Sequence, residues 1–130
     1  MEKRELIYAE LSYKLYGILF AVHNERGRYR NSQEYCDAIE HYLKLFNIPY
    51  EREKILPPSF EGEREGRNRV DFLIGDKIVL EVKAKRMIEK SDYYQTKRYL
   101  TALNKKLAIL VNFRDKRIIP KRILNSSANE

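Results

Sequence analysis

Apolar residues recur every three or four positions in three stretches of the chain, and this spacing predicts three amphipathic helices. The predicted helices cover residues 5–24, 33–46 and 90–104. Asn31 or Ser32 is the predicted N-cap of the second helix, because either side chain can accept a hydrogen bond from a free backbone N–H. Ser91-Asp92 is the corresponding prediction for the third helix.

Shorter apolar runs rich in β-branched residues predict five strands. The first strand carries several charges, which favours an edge position, and Pro120 is predicted to end the last strand. The element order is therefore α-α-β-β-β-α-β-β. A strand that rejoins the sheet through a helix runs parallel to its neighbour, so a mixed sheet is expected. The predicted strands cover residues 50–56, two segments within 69–83, 107–112 and 117–119.

Acidic side chains interrupt the apolar hairpin predicted within residues 69–83. Asp71 lies in its first strand, and Glu81 and Lys83 lie in its second. A carboxylate is costly to bury unless it is paired or binds a metal. Alternation places Glu81 and Lys83 on one face of the strand. Two carboxylates can hold Mg²⁺ or Mn²⁺, and a lysine can steady a phosphate or position a water molecule.

The register of this hairpin decides whether its two acids meet. A two-residue turn over residues 75–76 would point Asp71 and Glu81 to opposite faces of the sheet. A three-residue loop over residues 75–77, or a bulge, shifts the register by one and sets the acids directly across from each other. Gly75 suits the special backbone angles that either solution requires. A shared metal site therefore predicts the shifted register.

An acid in one strand, followed about ten residues later by Glu-x-Lys in the next, resembles the core motif of the PD-(D/E)XK nuclease superfamily. Gln95-Thr-Lys-Arg-Tyr99 is similar to the QxxxY element of RecB-type members. The chain also resembles the GxxExxY family, a small bacterial and archaeal branch. The resemblance covers roughly residues 5 to 123. Four further segments also fit the GxxExxY family, namely residues 22–27, 35–39, 99–103 and 110–119.

This resemblance implies an α/β fold of the restriction-endonuclease-like type, with the core order α-β-β-β-α-β, a mixed central sheet and an extra N-terminal helix. It implies a metal-dependent nuclease that cleaves phosphodiester bonds, with DNA as the expected substrate and Mg²⁺ or Mn²⁺ as the cofactor. Asp71, Glu81 and Lys83 would be catalytic. Asp71 and Glu81 would hold the metal, with the main-chain carbonyl of Val82 as a further ligand.

Gln95 and Tyr99 would contact nucleic acid near the metal, since their i, i+4 spacing places both on one helix face. In the alternative interpretation, Tyr99 lies in the core and Gln95 is its polar neighbour. The acids also have a structural alternative, in which they form surface salt bridges with Arg69, Lys83 or Lys85.

The start of the second helix departs from the family pattern Gly-x-x-Glu-x-x-Tyr. When the pattern is aligned on Tyr35, Tyr29 takes the place of the glycine and Ser32 that of the glutamate. Glu34 points about 200° away around the helix. An acid at the family position often supplies a further metal ligand in this superfamily. Ser32 therefore favours an alternative function: a catalytically lapsed nucleic-acid-binding module, or a subunit whose site a partner protein or second copy completes.

Composition and charge narrow the function classes further. A length of 130 residues predicts one domain over residues 1–130. No apolar run approaches the ~20 residues that span a bilayer, and no signal-peptide pattern is evident, so a cytoplasmic protein without membrane partners is expected. Cys36 is the only cysteine, which excludes an internal disulfide and a cysteine-based zinc site.

The positive charge is concentrated in the half of the chain that contains the acidic hairpin. The net charge is +7, and residues 66–130 alone hold sixteen Lys and Arg against seven Asp and Glu. A basic surface with many tyrosines favours binding of a polyanion such as nucleic acid. The same Lys and Arg residues could instead serve only to keep the surface soluble.

Overall fold

The structure is a computed structural model that describes residues 7–128. This part of the chain contains three helices and five strands, in the predicted order. No helix within it has both the length and the apolar character required to cross a membrane. The elements are α1 (Ala9–Arg26), α2 (Ser32–Leu45), β1 (Tyr50–Ile55), β2 (Arg69–Ile74), β3 (Ile78–Lys83), α3 (Lys90–Leu103), β4 (Leu107–Asn112) and β5 (Lys121–Leu124).

The five strands form one mixed sheet in the order β1-β2-β3-β4-β5. β3 and β4 run parallel because α3 carries the chain back across the sheet between them. All other neighbouring strands are antiparallel. The mixed sheet and the edge position of β1 confirm the predictions, and the parallel β3–β4 pair brings the last residues of both strands to one end of the sheet.

Two apolar layers cover the sheet, one on each face. α1 and α2 pack on the first face, and α3 packs on the second. The side chains of the hairpin predicted to fill the first face all do so, which confirms the expected alternation. They are Phe72, Ile74, Ile78, Leu80 and Val82.

The helix starts were predicted with mixed success. Asn31 is the N-cap of α2, as expected, and its side chain accepts a hydrogen bond from the backbone N–H of Glu34 at 2.9 Å. The predicted start of α1 at residue 5 lies outside the described residues, and the helix begins at Ala9. Ser91-Asp92 was predicted to cap the start of α3. The N-cap residue is Glu89 instead, but Asp92 does take part in the cap, because its side chain accepts the backbone N–H of Glu89 at 2.8 Å.

The last strand lies later in the sequence than predicted. The predicted segment, residues 117–119, is part of the connection after β4, and β5 begins at Lys121. Ile118 in this connection is buried in the core on the α1–α2 side, which explains why it resembled a strand residue. Pro120 precedes the strand instead of ending it, and in this position its missing N–H removes no ladder hydrogen bond.

Candidate active site

The β2–β3 hairpin adopts the shifted register that a shared metal site requires. Ile74 pairs with Ile78, so residues 75–77 form a three-residue loop. Gly75 and Asp76 in this loop have φ angles of 60° and 57°, in the left-handed region that glycine and aspartate tolerate best. The prediction of a three-residue loop is therefore confirmed.

Following this register, Asp71 lies across from Glu81, and two hydrogen bonds tie them together. The backbone N–H of Asp71 donates to Oε1 of Glu81 at 3.2 Å. The backbone N–H of Val82 donates to Oδ2 of Asp71 at 2.7 Å. Each carboxyl group is therefore held by a main-chain donor of the opposite strand.

Both carboxyl groups are shielded from water. Glu81 is only 4% exposed, and Asp71 is half-buried. Burial, followed by the negative charge of Asp71, raises the pKa of Glu81 to about 9, and the positive charge of Lys83 only partly opposes this. Burial also raises the pKa of Asp71, against the hydrogen bond from Val82. In the absence of a cation, the pair therefore retains a proton at a pH where ordinary carboxyls are ionised.

Neither carboxylate forms an ion pair with any residue in the described range 7–128, so the surface salt-bridge alternative does not apply. Lys85, one of its suggested partners, instead binds Asp92 at 2.8 Å and Glu89 at 3.2 Å. Arg69, another suggested partner, donates from Nε to a backbone carbonyl. Lys83 is half-buried, and no carboxylate in this range pairs with it. Among the described residues, the buried Glu81 and the half-buried Asp71 thus have no paired cation.

A distortion of the edge strand lies next to Asp71. The β1–β2 ladder is interrupted where Glu53 would pair with Asp71. Glu53 has a φ of 54°, a conformation that costs a non-glycine residue about 1–2 kcal/mol. Val70 and Leu73 are three positions apart, yet both belong to the apolar layer under α3, so β2 changes face between them. Such irregularities often redirect a side chain beside an active site.

Hydrogen bonds fix the backbone that follows Lys83. Asn112 is 3% exposed, and its side chain accepts from the backbone N–H of Lys85 at 3.0 Å. The same side chain donates to the carbonyl of Lys85 at 2.7 Å and accepts from the N–H of Arg114 at 3.3 Å. Sequence analysis did not identify this role, although a polar residue at the end of an apolar strand was a usable signal.

Gln95 and Tyr99 both lie on α3, one turn apart. Tyr99 is 8% exposed and belongs to the apolar layer between α3 and the sheet. This agrees with the alternative interpretation of the sequence, in which Tyr99 lies in the core. Burial raises the pKa of Tyr99, and the negative charge of Glu81 adds to the shift. Gln95 is half-buried and remains accessible at the surface.

One face of α2 carries a cysteine whose pKa responds to the charge of Asp71. Cys36 is buried on it, and burial followed by the negative charge of Asp71 raises the pKa of the thiol to about 12. Ser32, the first residue of α2, is four positions earlier and therefore on the same helix face. A glutamate at the position of Ser32 would accordingly project from the same face of α2 as Cys36.

The donor set of the site fits a hard divalent cation. Within residues 7–128, no group of three or more His, Cys, Asp and Glu side chains is placed to hold a metal ion. The two carboxylates would need main-chain oxygens or water to complete a coordination shell. Carboxylate and carbonyl oxygens are the ligands of Mg²⁺ and Mn²⁺, whereas softer metals prefer nitrogen and sulfur.

Comparison with known proteins agrees with this geometry. No curated protein and no solved structure matches the chain significantly. A family model of the PD-(D/E)XK nuclease superfamily matches residues 9–123, which includes every helix and nearly every strand residue of the structure. The three helices and the mixed five-stranded sheet are consistent with the restriction-endonuclease-like fold of that superfamily. The chain therefore belongs to the PD-(D/E)XK nuclease superfamily.

Proposed function

We propose that the protein is a nuclease that uses Mg²⁺ or Mn²⁺ to hydrolyse phosphodiester bonds in DNA. Membership of the superfamily indicates a metal-dependent nuclease with a nucleic-acid substrate. The observation that carries the proposal is the buried pair of Asp71 and Glu81, which face each other and have no paired cation among the described residues. The same proposal includes two finer assignments: that the chain is a member of the GxxExxY branch, and that Gln95 to Tyr99 form a QxxxY element.

Asp71 and Glu81 would hold the metal, and the carbonyl of Val82 would be a further ligand. A bound divalent ion supplies charge to stabilise the phosphorane and lowers the pKa of a bound water molecule. The two main-chain hydrogen bonds keep the carboxyl groups in place before a cation arrives. Binding would also displace the proton that burial retains on the pair.

Lys83 would bind the scissile phosphate or position the attacking water molecule. It lies two residues after Glu81 in β3 and therefore on the same face of the strand. Because no carboxylate in residues 7–128 pairs with it, its ammonium is available to a substrate anion. A positive group placed where charge develops contributes to the stabilisation of the transition state.

Gln95 and Tyr99 would contact the nucleic acid beside the metal. Gln95 is the more accessible of the two and can donate from its amide to a phosphate or a base. The negative charge of Glu81 contributes to the rise in the pKa of Tyr99, which supports a place for this residue beside the site. Positive residues in the second half of the chain would bind the rest of the backbone.

A catalytically lapsed nucleic-acid-binding module is the second candidate. Ser32 favours it, because an acid on α2 is missing where many superfamily members supply a metal ligand. The two-carboxylate donor set within residues 7–128 favours it as well. A second copy or a partner protein that adds the missing ligand would reconcile this donor set with full activity.

Cleavage assays test the proposal. Plasmid and single-stranded DNA are incubated with Mn²⁺ and the wild type, Asp71→Asn, Glu81→Gln or Lys83→Met. Asp76→Asn is the matched control, since Asp76 is an exposed acid at the tip of the same hairpin. We expect the wild type and Asp76→Asn to cleave, and the other variants to lose at least roughly a hundredfold in rate. Cleavage at the wild-type rate by all three would overturn these assignments, and a wild type that binds DNA without cleaving it would favour the lapsed module.

A further inference from the structure

Two arginines from distant parts of the sequence hold each other beside an exposed tyrosine. Nε of Arg28 donates to the carbonyl of Arg114 at 2.8 Å, and Nε of Arg114 donates to the carbonyl of Arg28 at 2.9 Å. Their guanidinium carbons lie 5.1 and 5.6 Å from the ring centroid of Tyr29. We call these three residues the Arg28–Tyr29–Arg114 cluster.

The cluster carries two positive charges that no carboxylate of residues 7–128 pairs with. Arg28 and Arg114 are half-buried, and neither forms an ion pair within residues 7–128. Arg30 and Arg52, by comparison, are each paired with a carboxylate. The reciprocal backbone bonds use the Nε groups, and one terminal nitrogen of Arg114 donates to the carbonyl of Ala84. Within the described part of the chain, both terminal nitrogens of Arg28 and the second one of Arg114 are left for an external acceptor. The planar guanidinium group holds its N–H donors in a fork that suits phosphate oxygens.

Tyr29 adds a stacking surface to these charges. It is 76% exposed, so most of its ring surface is open to solvent. Exposed aromatic rings beside cations are the usual means by which proteins bind unpaired bases. A glycine, which the resemblance places at this position in GxxExxY members, would offer no such surface.

The cluster lies at the same end of the sheet as the candidate active site. A terminal nitrogen of Arg114 donates to the carbonyl of Ala84 at 3.4 Å, and Ala84 directly follows Lys83. Asn112, which pairs with Lys83 across β3 and β4, also binds the backbone N–H of Arg114. A nucleic-acid strand that reached Lys83 would therefore pass close to the cluster.

We propose that the Arg28–Tyr29–Arg114 cluster binds one nucleotide of a single-stranded nucleic acid adjacent to the scissile phosphate. The two guanidinium groups bind a backbone phosphate, and the ring of Tyr29 stacks on the base. Stacking requires a base whose face is free, and duplex bases are covered by their neighbours, so the subsite selects single strands or frayed ends. This inference rests on the proposed nuclease function.

Binding measured without metal separates this subsite from catalysis. Fluorescence anisotropy with labelled oligothymidylate in EDTA compares the wild type with Tyr29→Leu, Tyr29→Phe and Arg28→Gln/Arg114→Gln. Lys14→Gln/Lys44→Gln is the control, because it also removes two positive charges. Lys14 lies in α1, and Lys44 lies in the last turn of α2, at the far end of that helix from the cluster. A blunt duplex and a single-stranded RNA of equal length are the further probes.

For oligothymidylate, we expect Tyr29→Leu to weaken binding by roughly fivefold or more, and Tyr29→Phe to stay within about twofold of the wild type. Tyr29→Leu should leave duplex affinity unchanged. Arg28→Gln/Arg114→Gln should weaken binding of both DNA probes and reduce the salt slope by about one to two, while the lysine control changes it less. The RNA probe shows whether the ribose matters, and tighter binding of either single strand than of the duplex supports the subsite.

The possible failures are distinguishable. If the wild type binds with a steep salt dependence but Tyr29→Leu binds oligothymidylate equally well, the stacking subsite is wrong and the nuclease proposal stands. The same conclusion follows if Tyr29→Leu weakens duplex and single-strand binding alike. If the wild type binds no probe at all in EDTA, the subsite is wrong, and the cleavage assay with Mn²⁺ alone decides the nuclease proposal. Thermal melting shows that each variant is folded, and Tyr29→Leu, at an exposed position, keeps the test valid if the arginine variant is unstable.

Discussion

Asp71 and Glu81 lie across from each other in adjacent strands, and main-chain N–H groups hold both carboxyls. Glu81 accepts from the N–H of Asp71 at 3.2 Å, and Asp71 accepts from the N–H of Val82 at 2.7 Å. Two buried carboxyls without a paired cation are unfavourable when ionised. The arrangement therefore costs stability unless the pair keeps a proton or binds a cation, a pattern typical of functional sites.

The metal-free protein should lose stability as pH rises. Burial and Asp71 raise the pKa of Glu81 from 4.5 to about 9, so the folded state retains a proton that the unfolded chain releases. The contribution of Glu81 to the free energy of unfolding is complete below about pH 4.5 and declines above that pH. It is lost as the pH passes the pKa of Glu81 in the folded state. The slope is at most about 1.4 kcal/mol per pH unit.

Urea unfolding in EDTA from pH 5 to 9 measures how the free energy of unfolding changes with pH. Glu81→Gln should flatten this dependence. Equal slopes for the wild type and Glu81→Gln would contradict the raised pKa.

Asn112→Ala should destabilise the fold by about 2–4 kcal/mol, because it leaves the N–H and carbonyl of Lys85 without the side chain that binds both. Chemical denaturation measures the loss. Asn24→Ala, at an exposed position of α1, is the control and should be neutral or slightly stabilising. If Asn112→Ala were as stable as the wild type, Asn112 would not be what fixes the segment after Lys83.

Tyr99→Ala should lower the free energy of unfolding by roughly 3–5 kcal/mol, as expected for an aromatic side chain removed from a core. Tyr94→Ala on the same helix should change it by less than about 0.5 kcal/mol, since Tyr94 is 61% exposed. Tyr99→Phe keeps the ring, so a loss of nucleic-acid affinity in this variant at unchanged stability would assign a binding role to the hydroxyl. Similar stability losses in both alanine variants would show that Tyr99 is not a core residue.

Ser32→Glu should increase the rate of Mn²⁺-dependent DNA cleavage. The new carboxylate would stand on the face of α2 that also carries Cys36, whose pKa responds to the charge of Asp71. Ser32→Gln is the matched control, because it adds the same bulk without the charge. Steady-state cleavage rates compare the two. A glutamate variant no faster than the glutamine variant would remove the argument that Ser32 marks a lost ligand.

Local patterns of the sequence were sufficient for the helices, for four of the strands and for the acidic hairpin. The register of that hairpin did not follow from the turn residues alone, because Gly75-Asp76 also suits a two-residue turn. It followed from the requirement that Asp71 and Glu81 share a metal, and the pairing of Ile74 with Ile78 confirms it. Chemical requirements thus resolved what backbone propensity left open.

Features that depend on distant contacts were not predictable in this way. Arg28 and Arg114 meet across 86 positions, and neither segment carries a pattern that indicates the other. β5 was placed too early because buried Ile118 resembles a strand residue until its position in the core is known. The left-handed conformation of Glu53 likewise arises from the sheet around it, since glutamate has no preference for that conformation.

Titration calorimetry with Mn²⁺ tests the central claim most directly, because it needs neither a substrate nor turnover. The wild type should bind Mn²⁺, and Asp76→Asn, which removes an exposed acid from the same hairpin, should bind it equally well. Glu81→Gln and Asp71→Asn should each weaken binding by at least about tenfold, a loss of 1.4 kcal/mol or more. If Glu81→Gln bound Mn²⁺ as tightly as the wild type, the buried pair would not be a metal site and the account would be wrong.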